Sequence, residues 1–279
     1  MLLGASLARG GIHDLAYPSA LLKQNVPIKV YTPPGYEAAT AVRYPVVYNL
    51  HGGGGSPERQ WDRTRATLTD AMEHRRVRPM IYVFVNGLGN TEFVNTAAGQ
   101  PIERSIIEEL IPFIDARYPT IASRAGRAVD GFSMGGFGCL SVAMRHPILF
   151  CAAVGYGAAL SITAAGKNYR DPAHFAEHDP HALIRAKADL IREKIRLRLV
   201  VGDADWLYPA NVKFKALLDE LRVPADWVVV PGVAHNTMGL YEARDLASLH
   251  WLEDSFEQAA AARPMHATVG RPPRAPTTA

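Results

Sequence analysis

The feature that most constrains this chain is Gly131-Phe132-Ser133-Met134-Gly135, extended by Gly136. It fits the G-x-S-x-G nucleophile elbow, a serine on a tight turn between a strand and a helix. The glycines have a steric reason. The serine backbone is strained, and a side chain at either flank would collide with its neighbours. The flanks suit the motif: a short strand pattern, RAVDG, precedes it and a helical pattern, FGCLSVAMRH, follows. A glycine-rich turn with an idle serine is the bland alternative, and the matching flanks weigh against it.

The rest of the chain supplies a frame for such a turn. Val26 to Tyr31 reads as a strand ended by Pro33-Pro34-Gly35, and Tyr44 to Leu50 (YPVVYNL) as a buried strand. Ser56-Pro57 reads as an N-cap and first turn before a helix over about Gln60 to His74. Met80 to Val85 is the next buried strand. Ile102, Ile106, Leu110 and Ile114 recur every four residues, which predicts a helix with one buried face, kinked at Pro112. Further strands are expected at Arg127–Gly131, Phe150–Tyr156, Leu197–Val201 and Trp227–Val230. Helices are expected at Gly135–His146, Asn211–Leu221 and Tyr241 to about Ala260. Strands alternating with helices predict an α/β fold: a mostly parallel sheet, antiparallel at its N-terminal start, with helices on both faces. Ser161 to Glu193 holds two Asp-Pro pairs and is expected to be a long irregular segment on the rim.

Charge narrows the partners. Lys and Arg number 30 against 27 Asp and Glu, and the excess sits in the last seventeen residues, which hold Arg263, Arg271 and Arg274 and no acid. The remaining body is neutral. Nucleic acid is therefore not an expected partner, since phosphate binding needs a clustered basic face. No apolar run approaches the roughly 20 residues that span a bilayer, so no membrane partner is expected. Two cysteines, Cys139 and Cys151, read as small core residues. The start, MLLGASLARGGIHD, is a poor secretory signal. Cytoplasmic placement is the expectation, with secretion the alternative if a leader has been removed. The expected organisation is a lead-in segment 1–14, one domain over 15–262, and a disordered Pro- and Arg-rich tail 263–279. A homo-oligomer is left open.

Chemistry needs more than the serine. His51-Gly52-Gly53-Gly54-Gly55 directly follows a buried strand. Glycines there let backbone N–H groups approach a substrate oxygen. Gly53 and Gly54, with Met134 after the serine, are the expected oxyanion donors. A phosphate loop is the rival reading, but the trailing Gly-Lys-Ser/Thr is missing. His51 is expected to position the loop. A serine needs a base, and His235, just beyond the WVVV strand, is the histidine placed for it. The orienting acid should come from Gly202-Asp203-Ala204-Asp205, and position alone leaves Asp203 and Asp205 open. Asp130 is expected to be a structural acceptor, and Phe132 to pack under the turn. Trp61 and Trp227 are assigned to the core. His174, His178 and His181 have conceivable metal spacing, but Pro180 is expected to break any helix aligning them; no metal and no cofactor are expected.

These segments together resemble an esterase family of α/β-hydrolases that includes feruloyl esterases, tributyrin-type esterases, S-formylglutathione hydrolase and the mycolyltransferases. The matching stretches are Tyr31–Tyr36 (YTPPGY), Tyr44–Gly55, Ile106–Pro112 with FIDARYP, the elbow with Arg145-His146-Pro147, the Gly202–Asp205 loop and His235. The resemblance covers about residues 15 to 260. It implies the α/β-hydrolase fold with little or no lid domain and the triad Ser133, Asp205 and His235. It also implies an oxyanion hole from the loop beginning at Gly52 and Gly53, plus Met134. Asn236 to Leu240 departs from relatives that carry aromatic residues soon after the histidine. Loop position suggests Leu88, Phe93, Trp206, Leu207 and Met238 as pocket residues. The expected activity is serine carboxylester hydrolysis of a small-molecule, small or aromatic ester through an acyl-enzyme. The alternatives are acyl transfer by the same triad and a catalytically silent binding module on this scaffold.

Overall fold

The computed structural model describes residues 10–38, 41–161 and 172–262. Two β-rich segments open it, β1 (Gly11–Ser19) and β2 (Gln24–Thr32), paired antiparallel through a tight turn. Then follow β3 (Val46–Leu50), α1 (Pro57–Glu73) and β4 (Ile81–Val85). A composite helix comes next, built of α2 (Ile102–Ser105), a π-helical turn (Ile106–Leu110) and α3 (Ile111–Arg117). The second half carries β5 (Arg127–Phe132), α4 (Met134–Arg145), β6 (Ala152–Tyr156), α5 (Pro172–His178) and α6 (Pro180–Lys194). β7 (Arg196–Gly202), α7 (Tyr208–Glu220), β8 (Ala225–Val230), α8 (Thr237–Tyr241) and α9 (Ala243–Ala261) complete it.

The strands form one sheet in the order β1-β2-β4-β3-β5-β6-β7-β8. β1, β2 and β4 pair antiparallel, and every later pairing is parallel. This is the expected α/β-hydrolase architecture. β3 shows why such strands read as unbroken apolar runs. Val46, Tyr48 and Leu50 pack into one helical layer, and Val47 into the other. One layer holds residues of α3, α4, α6 and α7, and the other residues of α1, α8 and α9. The chain order reverses between β3 and β5. That leaves a crevice at their C-terminal ends, where ligands of open α/β sheets bind.

Four sequence expectations change. β1 starts at Gly11, inside the segment expected as a lead-in. The helix at Pro112 is not simply kinked. The π-helical turn just before it absorbs the missing N–H and the ring, and the helix runs on to Arg117. Ser161–Glu193 is not irregular throughout, because α5 and α6 occupy much of it. Pro180 starts α6 instead of breaking a helix: it sits in the first turn, where no N–H is needed, and Asp179 caps the end by accepting from His181 N. The segment 263–279, expected as a tail, lies outside the described residues.

Among the described residues, no helix is long and apolar enough to cross a membrane.

Candidate active site

The elbow is built by close packing. A Cβ on Gly135 would lie 2.0 Å from the Leu50 carbonyl oxygen, and one on Gly131 would lie 2.3 Å from the Gly135 oxygen. Glycine at both positions lets the start of α4 press against β3 and β5. Ser133, between them, has φ 57° and ψ −113°, a positive φ that only a strained L-residue adopts. Its own N–H donates to Tyr156 O and its carbonyl accepts from Phe137 and Ala159, so the turn is fixed from three sides.

The structure brings Ser133, His235 and Asp205 together. Ser133 Oγ lies 2.9 Å from His235 Nε2, and His235 Nδ1 lies 2.8 Å from Asp205 Oδ2. The Asp205 side chain is fully buried, and its other oxygen accepts from Leu207 N at 2.8 Å. Asp203 faces elsewhere. Its carboxylate accepts from Gly232 N and ties the β7 loop to the β8 loop. Of the two aspartates left open by the sequence, Asp205 is the one in contact with His235. Gly157 was missed by sequence reasoning. It has φ 47°, and a Cβ there would lie 2.8 Å from Asp205 Oδ2 and 3.4 Å from His235 Nδ1. Only a glycine leaves room for the carboxylate–imidazole contact. The signal available was a lone glycine just past the end of the β6 pattern.

The glycine loop turns sharply, with Gly55 N donating to Gly52 O. Gly54 does not fit the expected donor role, because its N–H donates to the Asn90 side chain at 2.8 Å. Gly53, exposed at the crest, and Met134 remain as the candidate pair. The Met134 N–H sits in the first turn of α4, where no intrahelical partner exists. His51 is buried. Its Nδ1 is 2.8 Å from Gly52 O and its Nε2 accepts from Gly87 N, so the ring is neutral and binds the glycine loop to the next loop. Burial pushes its pKa down, in keeping with that state. Asn90 and Gly87 lie on a loop expected at the cleft, but their roles carry no sequence signal, since each acts through a fold contact with no local motif.

The five pocket expectations divide. Phe93 is fully buried, with its ring edge-on to His51 at 5.0 Å, so it supports the loop and does not line a pocket. Leu207 is also fully buried, under Asp205. Trp206 is 69% exposed and its ring centre lies 5.3 Å from that of His235. Met238 is 47% exposed at the start of α8, and Leu88 is half-buried on its loop. Phe132, read as packing under the turn, lies with its ring 4.6 Å from the His235 ring. Asp130 is buried beneath the elbow and accepts from Asn49 Nδ2 and the Tyr241 hydroxyl. Burial raises its carboxyl to about 7, so it is largely protonated below neutral pH.

Eight strands in this order, with a serine on a strained turn at the switch point, define an α/β-hydrolase. The chain belongs to the esterase family of that fold: the family model described as "Putative esterase" matches residues 19–227. An endo-1,4-beta-xylanase/feruloyl esterase of Xylanibacter ruminicola is 30% identical over 150 residues, covering 50% of this chain and 20% of that protein. Esterase Rv1288 of Mycobacterium tuberculosis is 29% identical over 152 residues, covering 52% and 32%. The chain matches only a fifth to a third of the length of these curated relatives. A solved ferulic acid esterase superposes with a TM-score of 0.78 at 23% identity, covering 89% of this chain and 99% of that one. S-formylglutathione hydrolase of Staphylococcus aureus gives 0.69 at 20% identity, covering 89% and 100%. At these identities the structural likeness speaks for the fold.

Proposed function

We propose that this chain is a serine carboxylesterase working through an acyl-enzyme. The observation that carries this reading is the continuous chain of contacts from Ser133 Oγ through His235 to the buried Asp205. His235 Nε2 takes the hydroxyl proton as Ser133 Oγ attacks the ester carbonyl carbon. Asp205 holds the Nδ1–H tautomer and stabilises the imidazolium. The Met134 and Gly53 N–H groups donate hydrogen bonds to the developing oxyanion, each such donor contributing about a hundred- to a thousand-fold in rate. Collapse expels the alcohol, which takes its proton from His235. Water, deprotonated by His235, then releases the acid and frees Ser133.

An aromatic acyl or alcohol group is the substrate feature best supported. Trp206 and Phe132 flank the His235 ring, and Trp206 offers an exposed aromatic face beside it. The named activity of the xylanase/feruloyl esterase relative points the same way. The test is a panel of p-nitrophenyl esters by chain length, with methyl ferulate and a glutathione thioester, on the wild type and Ser133→Ala. Hydrolysis of oxygen esters, abolished in a folded Ser133→Ala, is expected. Full residual activity in that variant overturns the reading. Absence of labelling by a fluorophosphonate probe would favour a silent scaffold.

A further inference from the structure

A second cluster of ionisable side chains surrounds Glu103 on α2, away from Ser133. Glu103 is buried. Its Oε1 accepts from Arg145 Nε at 2.8 Å and from His146 Nε2 at 2.6 Å. Its Oε2 lies 3.2 Å from Nδ1 of the equally buried His178, within ion-pair range but off hydrogen-bond alignment. Burial pushes the Glu103 carboxyl up, but His146, His178 and Arg145 together hold it well below the usual carboxylate range.

We propose that His174, Glu177 and His178 form a divalent metal site, with zinc the fitting ion. His174 and His178 stand one turn apart on α5, with ring centres 4.9 Å apart, and Glu177 is beside them. One ligand atom from each of the three lies within 4.8 Å of the others. A tetrahedral zinc with bonds of about 2.1 Å needs ligand atoms roughly 3.4 Å apart, so a small side-chain contraction closes the set. Glu177 is exposed and has the freedom to make it.

The second observation is the outer ring of partners. Metal-bound histidines orient their other ring nitrogen on a carboxylate or a backbone carbonyl. His174 has such a partner here, and His178 has a carboxylate at ion-pair distance. His174 Nε2 is 2.7 Å from Asn95 O, and His178 Nδ1 faces the Glu103 carboxylate. Two imidazoles and one carboxylate suit zinc better than calcium or magnesium, which prefer all-oxygen sets. Arg145 is compensated by Glu103 and by the Glu177 carbonyl, which leaves the Glu177 carboxylate to offset the cation. His181 is not part of the set: it lies beyond Asp179, against the Phe214 ring. Three protein ligands leave the fourth position of the ion to water, and its effect here would be that of a cross-link. It would clamp α5 to the 86–101 loop, whose Asn90 holds the glycine turn.

The test titrates the full chain, stripped with EDTA and dialysed, with zinc sulfate, reading heat and bound metal. One zinc per chain with micromolar or tighter affinity is expected, together with a rise in Tm of about 5 °C at a hundredfold excess over Kd. His174→Ala and Glu177→Gln should each weaken binding by about tenfold or more and lose the Tm rise. His235→Asn should bind zinc as the wild type does, which separates this site from the esterase centre. His178 is a poor first probe, since its burial against Glu103 makes a folding defect the expected result. No stoichiometric zinc, or unchanged affinity in the folded His174→Ala/Glu177→Gln double variant, overturns the proposal. Either outcome leaves the esterase reading untouched.

Discussion

Two carboxylates in this molecule each hold an imidazole at close range. Asp205 lies 2.8 Å from His235, and Glu103 lies 2.6 Å from His146. Both are buried, Asp205 on the loop between β7 and α7 and Glu103 at the start of α2. What differs is the third partner. His235 turns its free edge to a serine on a strained turn, whereas the Glu103 carboxylate is shared by His146, Arg145 and, at ion-pair distance, His178. A carboxylate–imidazole contact is therefore not a catalytic signature in itself. It becomes one when the imidazole's far nitrogen meets a group that can lose a proton to it.

The sharpest way to break this comparison is Asp205→Asn against Asp203→Asn. The first should lower kcat for p-nitrophenyl acetate by about 10³- to 10⁴-fold through loss of the Nδ1–H tautomer, and the second by less than about tenfold. The reverse ranking would reassign the acid. Next in size, Gly157→Ala sets a Cβ against Asp205 Oδ2 and strains the backbone. We expect about a hundredfold loss in kcat/KM with the fold retained, checked by steady-state kinetics and circular dichroism. Near-normal kinetics would mean that the Asp205–His235 contact tolerates displacement.

Glu103→Gln probes the other half. It removes the anion from Arg145 and His146, and should cost about 2–4 kcal/mol in urea unfolding while kcat stays within a few-fold of wild type. A loss of activity matching Asp205→Asn would erase the distinction drawn above. The smallest effect concerns Asp130, a carboxyl with no imidazole at all. Its pKa of about 7 in the fold lies above its unfolded value, so unfolding releases a proton between about pH 4 and 7. Its contribution to stability is full below about pH 4, declines as the pH rises, and is flat above 7. Asp130→Asn should remove that slope and add about 1–3 kcal/mol at pH 8. An unchanged slope would show that Asn49 and Tyr241 already compensate the charge.

Much of this was legible in the sequence because its signals are local. The elbow, the glycine loop and the histidine each follow a recognisable strand, and the buried strands read as apolar runs. The missing parts depend on contacts between distant segments. Asn90 acts by reaching Gly54 across two loops, and Gly157 by what it leaves empty. Neither carries a pattern of its own. Pro180 misled because a proline ends one helix and begins another by the same chemistry, and only Asp179's cap shows which. The π-helical turn before Pro112 is likewise a tertiary accommodation, written in backbone geometry and not in residue type.

The positive φ of Ser133 sets selection for activity against selection for robustness. Glycine would accept that backbone at ease, so Ser133→Gly should make the fold harder to unfold and chemically inert, as strain at a functional residue generally implies. A campaign that evolved this protein for heat tolerance alone would thus be drawn toward discarding the serine proposed as its nucleophile. Every round would need turnover as a second criterion, because here the durable molecule and the working molecule are different optima.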